Sequence, residues 1–135
     1  MINRKDLAIE LWKKGLNCSQ AVLVAHKDLV NVDEKILFSI SEGFGSGISG
    51  MKKTCGALTA AIMLVGLLNS TGDLENPTSK GKTYEIGNTL LKDFENKHSS
   101  IECEDLKGIK SGKVLLPCAK CITEACELIE KYIIK

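Results

Sequence analysis

The run ALTAAIMLVGLL, residues 57–68, narrows the folds open to this chain more than any other feature. It is the longest apolar stretch, interrupted by Thr59, and it falls well short of the roughly 20 residues that a membrane-spanning helix needs. A segment of this kind is a helix buried among others. Thr54 suits its N-cap and Gly72 lies just beyond its end, so the expected helix covers 54–69. Cys55 then falls in its first turn.

The remaining segments read as further helices. Leu7, Ala8, Leu11 and Trp12 recur at helical spacing after a capping candidate at Asn3, and Gly15 stops them. Asn17 followed by Gln20 resembles a capping box, with Cys18, Ala21, Val22 and Ala25 repeating behind it. A third helix is expected over 33–41 with Ile36, Leu37 and Ile40 inward. STGDLENPTSKGK breaks the periodicity. A helix then covers 80–98, with Ile86, Leu90, Leu91 and Phe94 on its inner side. A short turn is expected around Cys103, a flexible connection at KGIKSGKVLL, and a closing helix whose first position is Pro117. No strand alternation and no internal repeat interrupts this pattern. The chain is expected to be all-α: a single compact bundle of about five to six helices, one domain over residues 1–135, with a glycine-rich connecting loop.

Composition limits the function. The 18 Lys and Arg residues nearly balance 17 Asp and Glu, for a formal charge of +1, so no global field recruits nucleic acid or an acidic membrane. The N-terminus mixes charges among its apolar residues and carries no signal core, which implies a cytoplasmic location. In that reducing compartment six cysteines are core residues, metal ligands or transient redox groups rather than permanent disulfides.

The stretch GFGSGISGMKKTCGA, residues 43–57, offers three readings. Gly45, Gly47 and Gly50 satisfy G-x-G-x-x-G, but that fingerprint works between a strand and a helix, and no strand precedes it here. The glycines can instead permit positive φ angles in a tight connection. They can also bring bare backbone N–H groups, Gly56 included, close to a sulfur or a bound cluster.

Cys18, Cys55, Cys118 and Cys121 all fall near helix starts, where free N–H groups and the dipole favour a thiolate, and Lys52 and Lys53 flank Cys55. Cys103 lies among Glu102, Glu104 and Asp105, which oppose a thiolate. Cys118 and Cys121 form C-A-K-C at i, i+3, either a redox pair or half a metal site. Cys126 completes an apolar stripe with Ile122, Ile129 and Ile133 and reads as core. His26 and His98 read as surface or helix-end residues. Neither is tied to a cysteine by a motif.

Together GLNCSQAVL, GFGSGISGMKKTCGALTAAIMLVGL, CEDL and CITEACELI resemble the family of redox-active proteins named for its C, GCAxxG, C, C cysteine pattern. The glycine loop running into T-C-G-A is the specific part. The resemblance covers nearly the whole chain and implies that Cys18, Cys55, Cys103 and Cys121 are the family cysteines, with Cys118 and Cys126 extra. Ala60 stands where the family has a glycine. The implied activity is redox: either a thiol/disulfide couple, with Cys118 as a resolving thiol for Cys121, or an iron-sulfur cluster carried for electron transfer to a redox partner protein. The alternative is a non-redox helical protein in which the same four cysteines hold structural zinc or merely pack. Its function would then lie in an interaction surface, and Ile133 and Ile134 would offer a face for a homodimer.

Overall fold

In a computed structural model describing residues 3–134, seven α-helices follow one another, and the described residues hold no strand beyond one isolated bridge between Thr54 and Glu102. They are α1 (Arg4–Lys13), α2 (Cys18–Ala25), α3 (Glu34–Glu42), α4 (Gly56–Asn69), α5 (Lys80–His98), α6 (Cys103–Leu106) and α7 (Cys118–Tyr132). The all-α reading holds, with one or two more helices than expected.

Local chemistry sets most of the boundaries. The Asn3 side chain accepts from the Asp6 amide and starts α1. Asn17 and Gln20 form a complete capping box at α2, each side chain bonded to the other's backbone N–H at 2.9 and 3.1 Å. Helix α5 occupies the expected 80–98 and ends on a left-handed Ser99. Two starts differ by a residue or two. Pro117 is the N-cap of α7 rather than its first residue, and α4 begins at Gly56 behind Cys55, because Thr54 is engaged in the bridge to Glu102 and cannot cap.

Helix α2 is the hub. All eight of its residues are buried, and it packs against α1, α3, α4 and α7. Such a helix is apolar on every face because every face has a neighbour. The 57–68 run forms most of α4, as its composition required. Ala57, Ala60 and Ala61 have no exposed surface, which lets α4 lie close to its neighbours, and Ala60 fits where the family carries glycine. Gly87 serves α5 in the same way: a Cβ there would come within 3.1 Å of Ile62 on α4.

Three expectations need correction. On α3 Leu37 and Ser41 turn inward, while Ile36 and Ile40 are more than half exposed, so the buried face is the i, i+4 pair Leu37 and Ser41 rather than the isoleucines. Ile133 and Ile134 pack partly buried against the core instead of forming an outward face. His26 is wholly buried rather than superficial, its Nδ1 2.7 Å from the Val22 carbonyl and its Nε2 without a partner. His98 does sit at a helix end, 3.0 Å from Glu124.

Candidate functional site

Four segments carrying five cysteines are pinned to one another through their backbones. The strip before α4 pairs with the strip before α6: Cys55 N–H donates to Ile101 O at 2.9 Å, Cys103 N–H to Lys53 O at 2.6 Å, and Glu104 N–H to Lys52 O at 2.9 Å. The segment leading to Cys118 is tied to α6 because the amides of Leu115 and Leu116 both reach Leu106 O. At the fourth side α4 closes on α2. A Cβ on Gly56 would stand 2.6 Å from Cys18 Sγ and 2.8 Å from Phe44 O, so only glycine allows this approach.

The result is a small cavity lined by Cys18, Cys55, Cys103, Cys118 and Cys121, with Ser46, Gly56, Leu106 and Lys107 completing its wall. The centre of a water-sized sphere can move through only about 10 Å³ of it, the room of one water at most. Cys18, Cys55, Cys103 and Cys121 are buried, whereas Cys118 is half-buried. Cys126 lies apart in the core at 2% exposure, where burial pushes its thiol up to about 12.

The glycine loop shapes this cavity from outside. Of the four candidate glycines only Gly56 lines it. Gly45 is packed against the Asn17 side chain, Gly47 against the backbone of Lys52 and Lys53, and Gly50 faces open space. Residues 46–50 all have positive φ, from 52° to 77°, and three of them, Ser46, Ile48 and Ser49, are not glycine. Left-handed backbone costs such residues about 1–2 kcal/mol each. The turn is held by bonds from Ser49 N–H to Gly43 O at 2.7 Å and from Lys53 N–H to Gly47 O at 2.8 Å. It delivers the Ser46 N–H to the Cys18 sulfur.

The sulfurs differ in charge state. Cys55 and Cys121 share a hydrogen bond between their thiols. That bond is the main reason Cys55 is lowered to about 7; the Ala57 and Leu58 amides at the start of α4 and the Lys107 ammonium add to it against burial. Cys121 moves the opposite way, upward, as the partner that keeps its proton. The asymmetry has a structural origin. Cys121 is in the second turn of α7, whereas Cys55 is the N-cap of α4, at the positive end of that helix's dipole. The Cys121 proton has a second acceptor in Leu116 O at 3.6 Å.

Helix-start placement does not suffice for Cys18, because burial outweighs the Ser46 amide and raises it to about 11. Cys103 is also raised, and by burial rather than by the neighbouring carboxylates, since Glu104 is engaged with Lys110 at 3.1 Å. Of the lysines flanking Cys55 in sequence, Lys52 donates to the Ser46 hydroxyl and acts on Cys103, where it opposes the effect of burial. The effective cation is Lys107, just past α6. Burial alone would lower its ammonium, but its hydrogen bond to the Cys118 sulfur and the surrounding thiols raise it. Lys107 carried no motif and reaches the site only through the pairing of α6 with the loop, while Ser46 lay inside the glycine stretch and reaches it through the left-handed turn.

The donor set has the softness that zinc and iron-sulfur clusters take. Among the described residues, however, no three Cys, His, Asp or Glu side chains are set out as ligands of one ion. The five sulfurs close around this one narrow space.

An all-helical bundle enclosing a group of thiols beside one lysine defines a cysteine-based protein. The chain belongs to the C_GCAxxG_C_C family, described as "Putative redox-active protein (C_GCAxxG_C_C)", whose model matches residues 16–132. No curated protein and no solved structure matches the chain. No described helix is long and apolar enough to cross a membrane.

Proposed function

We propose that the protein is a dithiol/disulfide redox carrier whose working couple is Cys55 and Cys121. The observation that carries this reading is that both cysteines are buried in the wall of one nearly closed cavity, close enough that each is the main influence on the other, one thiol lowered and the other raised. A disulfide forms when a thiolate meets a sulfur within reach, so a pair that shares one proton is already in the reduced state's productive arrangement. On oxidation the Cys55 thiolate and the Cys121 thiol become one S–S bond, releasing one proton and two electrons. Cys18 and Cys103, held as thiols by burial, add no negative charge beside the Cys55 thiolate. The nearly closed cavity keeps bulk water and stray oxidants away from the pair.

A reading with iron-sulfur or zinc would use Cys18, Cys55, Cys103 and Cys121 and requires the cavity to open around the group. Anaerobic purification followed by iron and zinc assay and thiol titration separates the two. The couple predicts a metal-free protein whose titratable thiols fall by two on mild oxidation and return with a dithiol. Stoichiometric iron or zinc, or an unchanged thiol count, contradicts it.

A further inference from the structure

We propose that Cys118 is the exchange thiol of this site, passing electrons between external thiols and the enclosed couple by way of Cys121. The inference rests on the Cys55–Cys121 couple proposed above. Cys55 and Cys121 are 5% and 4% exposed, so an external disulfide or thiolate cannot approach either sulfur in line. Cys118 is the half-buried member of the cavity wall. It stands one turn before Cys121 on α7, and i, i+3 positions of an α-helix have Cα atoms about 5 Å apart, inside the range a disulfide spans. Cys121 can therefore bond either way, to Cys118 along its own helix or to Cys55 across the cavity. Lys107 lines the same cavity wall, and its ammonium is held by contact with the Cys118 sulfur, which places a cation beside the sulfur that attacks and later leaves.

The oxidising sequence balances with an external disulfide as the two-electron acceptor. The Cys118 thiolate attacks one sulfur of R–S–S–R, forming Cys118–S–S–R and releasing RS⁻. Cys121 gives its proton to that thiolate and attacks Cys118 Sγ, forming Cys118–S–S–Cys121 and releasing the second RS⁻. The Cys55 thiolate then attacks Cys121 Sγ, which forms the Cys55–Cys121 bond and returns Cys118 as thiolate. Reduction by a dithiol runs the same steps backwards, with the dithiol leaving as a disulfide.

The test uses the full chain with glutathione disulfide as oxidant and dithiothreitol as reductant. Cys118→Ser is expected to slow both directions at least about tenfold, while the equilibrium between the couple and a glutathione buffer stays within about twofold, because Cys118 begins and ends the cycle unoxidised. A Cys118→Ser variant as fast as the parent overturns the proposal. Cys121→Ser provides a second reading that does not depend on rates: glutathione should accumulate as a mixed disulfide on Cys118, and accumulation on Cys55 instead overturns the relay. Matching circular dichroism melts show that slow exchange is not a folding defect. If the parent protein forms no Cys55–Cys121 bond at all, the couple itself is wrong and the relay falls with it. If that bond forms equally fast without Cys118, only the relay fails.

Discussion

Replacing Gly56 with alanine tests the contact that brings the Cys18 and Cys55 segments together. The added Cβ would lie 2.6 Å from Cys18 Sγ, 2.8 Å from Phe44 O and 3.3 Å from Ser19 Cβ. The carbonyl belongs to the backbone and Cys18 is itself enclosed, so relief requires the start of α4 to move away from α2. Overpacking of this kind costs about 1–3 kcal/mol. Alanine's advantage over glycine in a helix offsets at most roughly 1 kcal/mol. Taking the middle of each range, about 2 less about 0.5, the net loss is about 1.5 kcal/mol, and for 135 residues, with an unfolding entropy of about 280 cal/mol/K, that lowers Tm by about 5 °C. Gly66, later in the same helix, is the matched control: nothing lies within 4 Å of its would-be Cβ. Gly66→Ala should therefore gain about 0.4–1 kcal/mol. Thermal unfolding followed by far-ultraviolet circular dichroism, with urea titrations to check that m is constant, measures both. A Gly56→Ala protein as stable as the parent, or one that shifts in the same direction as Gly66→Ala, refutes the close approach as the reason for glycine.

Other expectations follow from the loop, the buried histidine and the thiolate. Gly47→Ala should destabilise more than Gly50→Ala in urea unfolding, although φ is positive at both, because a Cβ on Gly47 meets the Lys53 amide nitrogen at 2.5 Å while Gly50 faces open space; equal losses would mean that φ alone matters. Burial holds the His26 pKa below its ordinary 6.5, so the unfolded chain binds the proton first, and stability should fall as pH drops below 6.5 and level off below the folded value. His26→Gln should flatten that part of the curve in denaturant titrations at stepped pH, and an unchanged slope would show that His26 is not its source. The ultraviolet thiolate absorbance of Cys55, taken as the difference between the parent and Cys55→Ala, should titrate with its midpoint near 7. Cys121→Ala should move that midpoint up further than Lys107→Gln, since the thiol hydrogen bond is the larger influence; the reverse order would contradict the assignment of cause.

Much of the helical framework was legible because its signals are local. Asn3 and the Asn17–Gln20 pair cap the helices they precede, and residues 80–98 carry an uninterrupted pattern. Tertiary contacts decided the remainder. Ile36 and Ile40 have the spacing of an inner face, yet α3 buries Leu37 and the polar Ser41 instead, and a buried serine gives no hydrophobic signal in a nine-residue helix. Thr54 has the chemistry of a cap but is drawn into pairing with Glu102, 48 positions away. The site follows the same division. The cysteines were visible as residues near helix starts, and the resemblance marked four of them. Which sulfur ionises depends on burial, on its position relative to a helix dipole, and on Lys107, a residue that looked like one of many surface lysines. The left-handed turn at 46–50 was half visible in Gly47 and Gly50. Its extension through Ser46, Ile48 and Ser49 is imposed by the bonds that close the loop.

The central claim is that Cys55 and Cys121 form one redox couple. Peptide mapping by mass spectrometry under non-reducing conditions, after equilibration with glutathione disulfide and blocking of free thiols, tests it most directly. The account predicts a single dominant crosslink between the peptide containing Cys55 and the one containing Cys121, with Cys18, Cys103 and Cys126 recovered as blocked thiols. A dominant crosslink that excludes Cys55, or six blocked thiols with no crosslink, would contradict it.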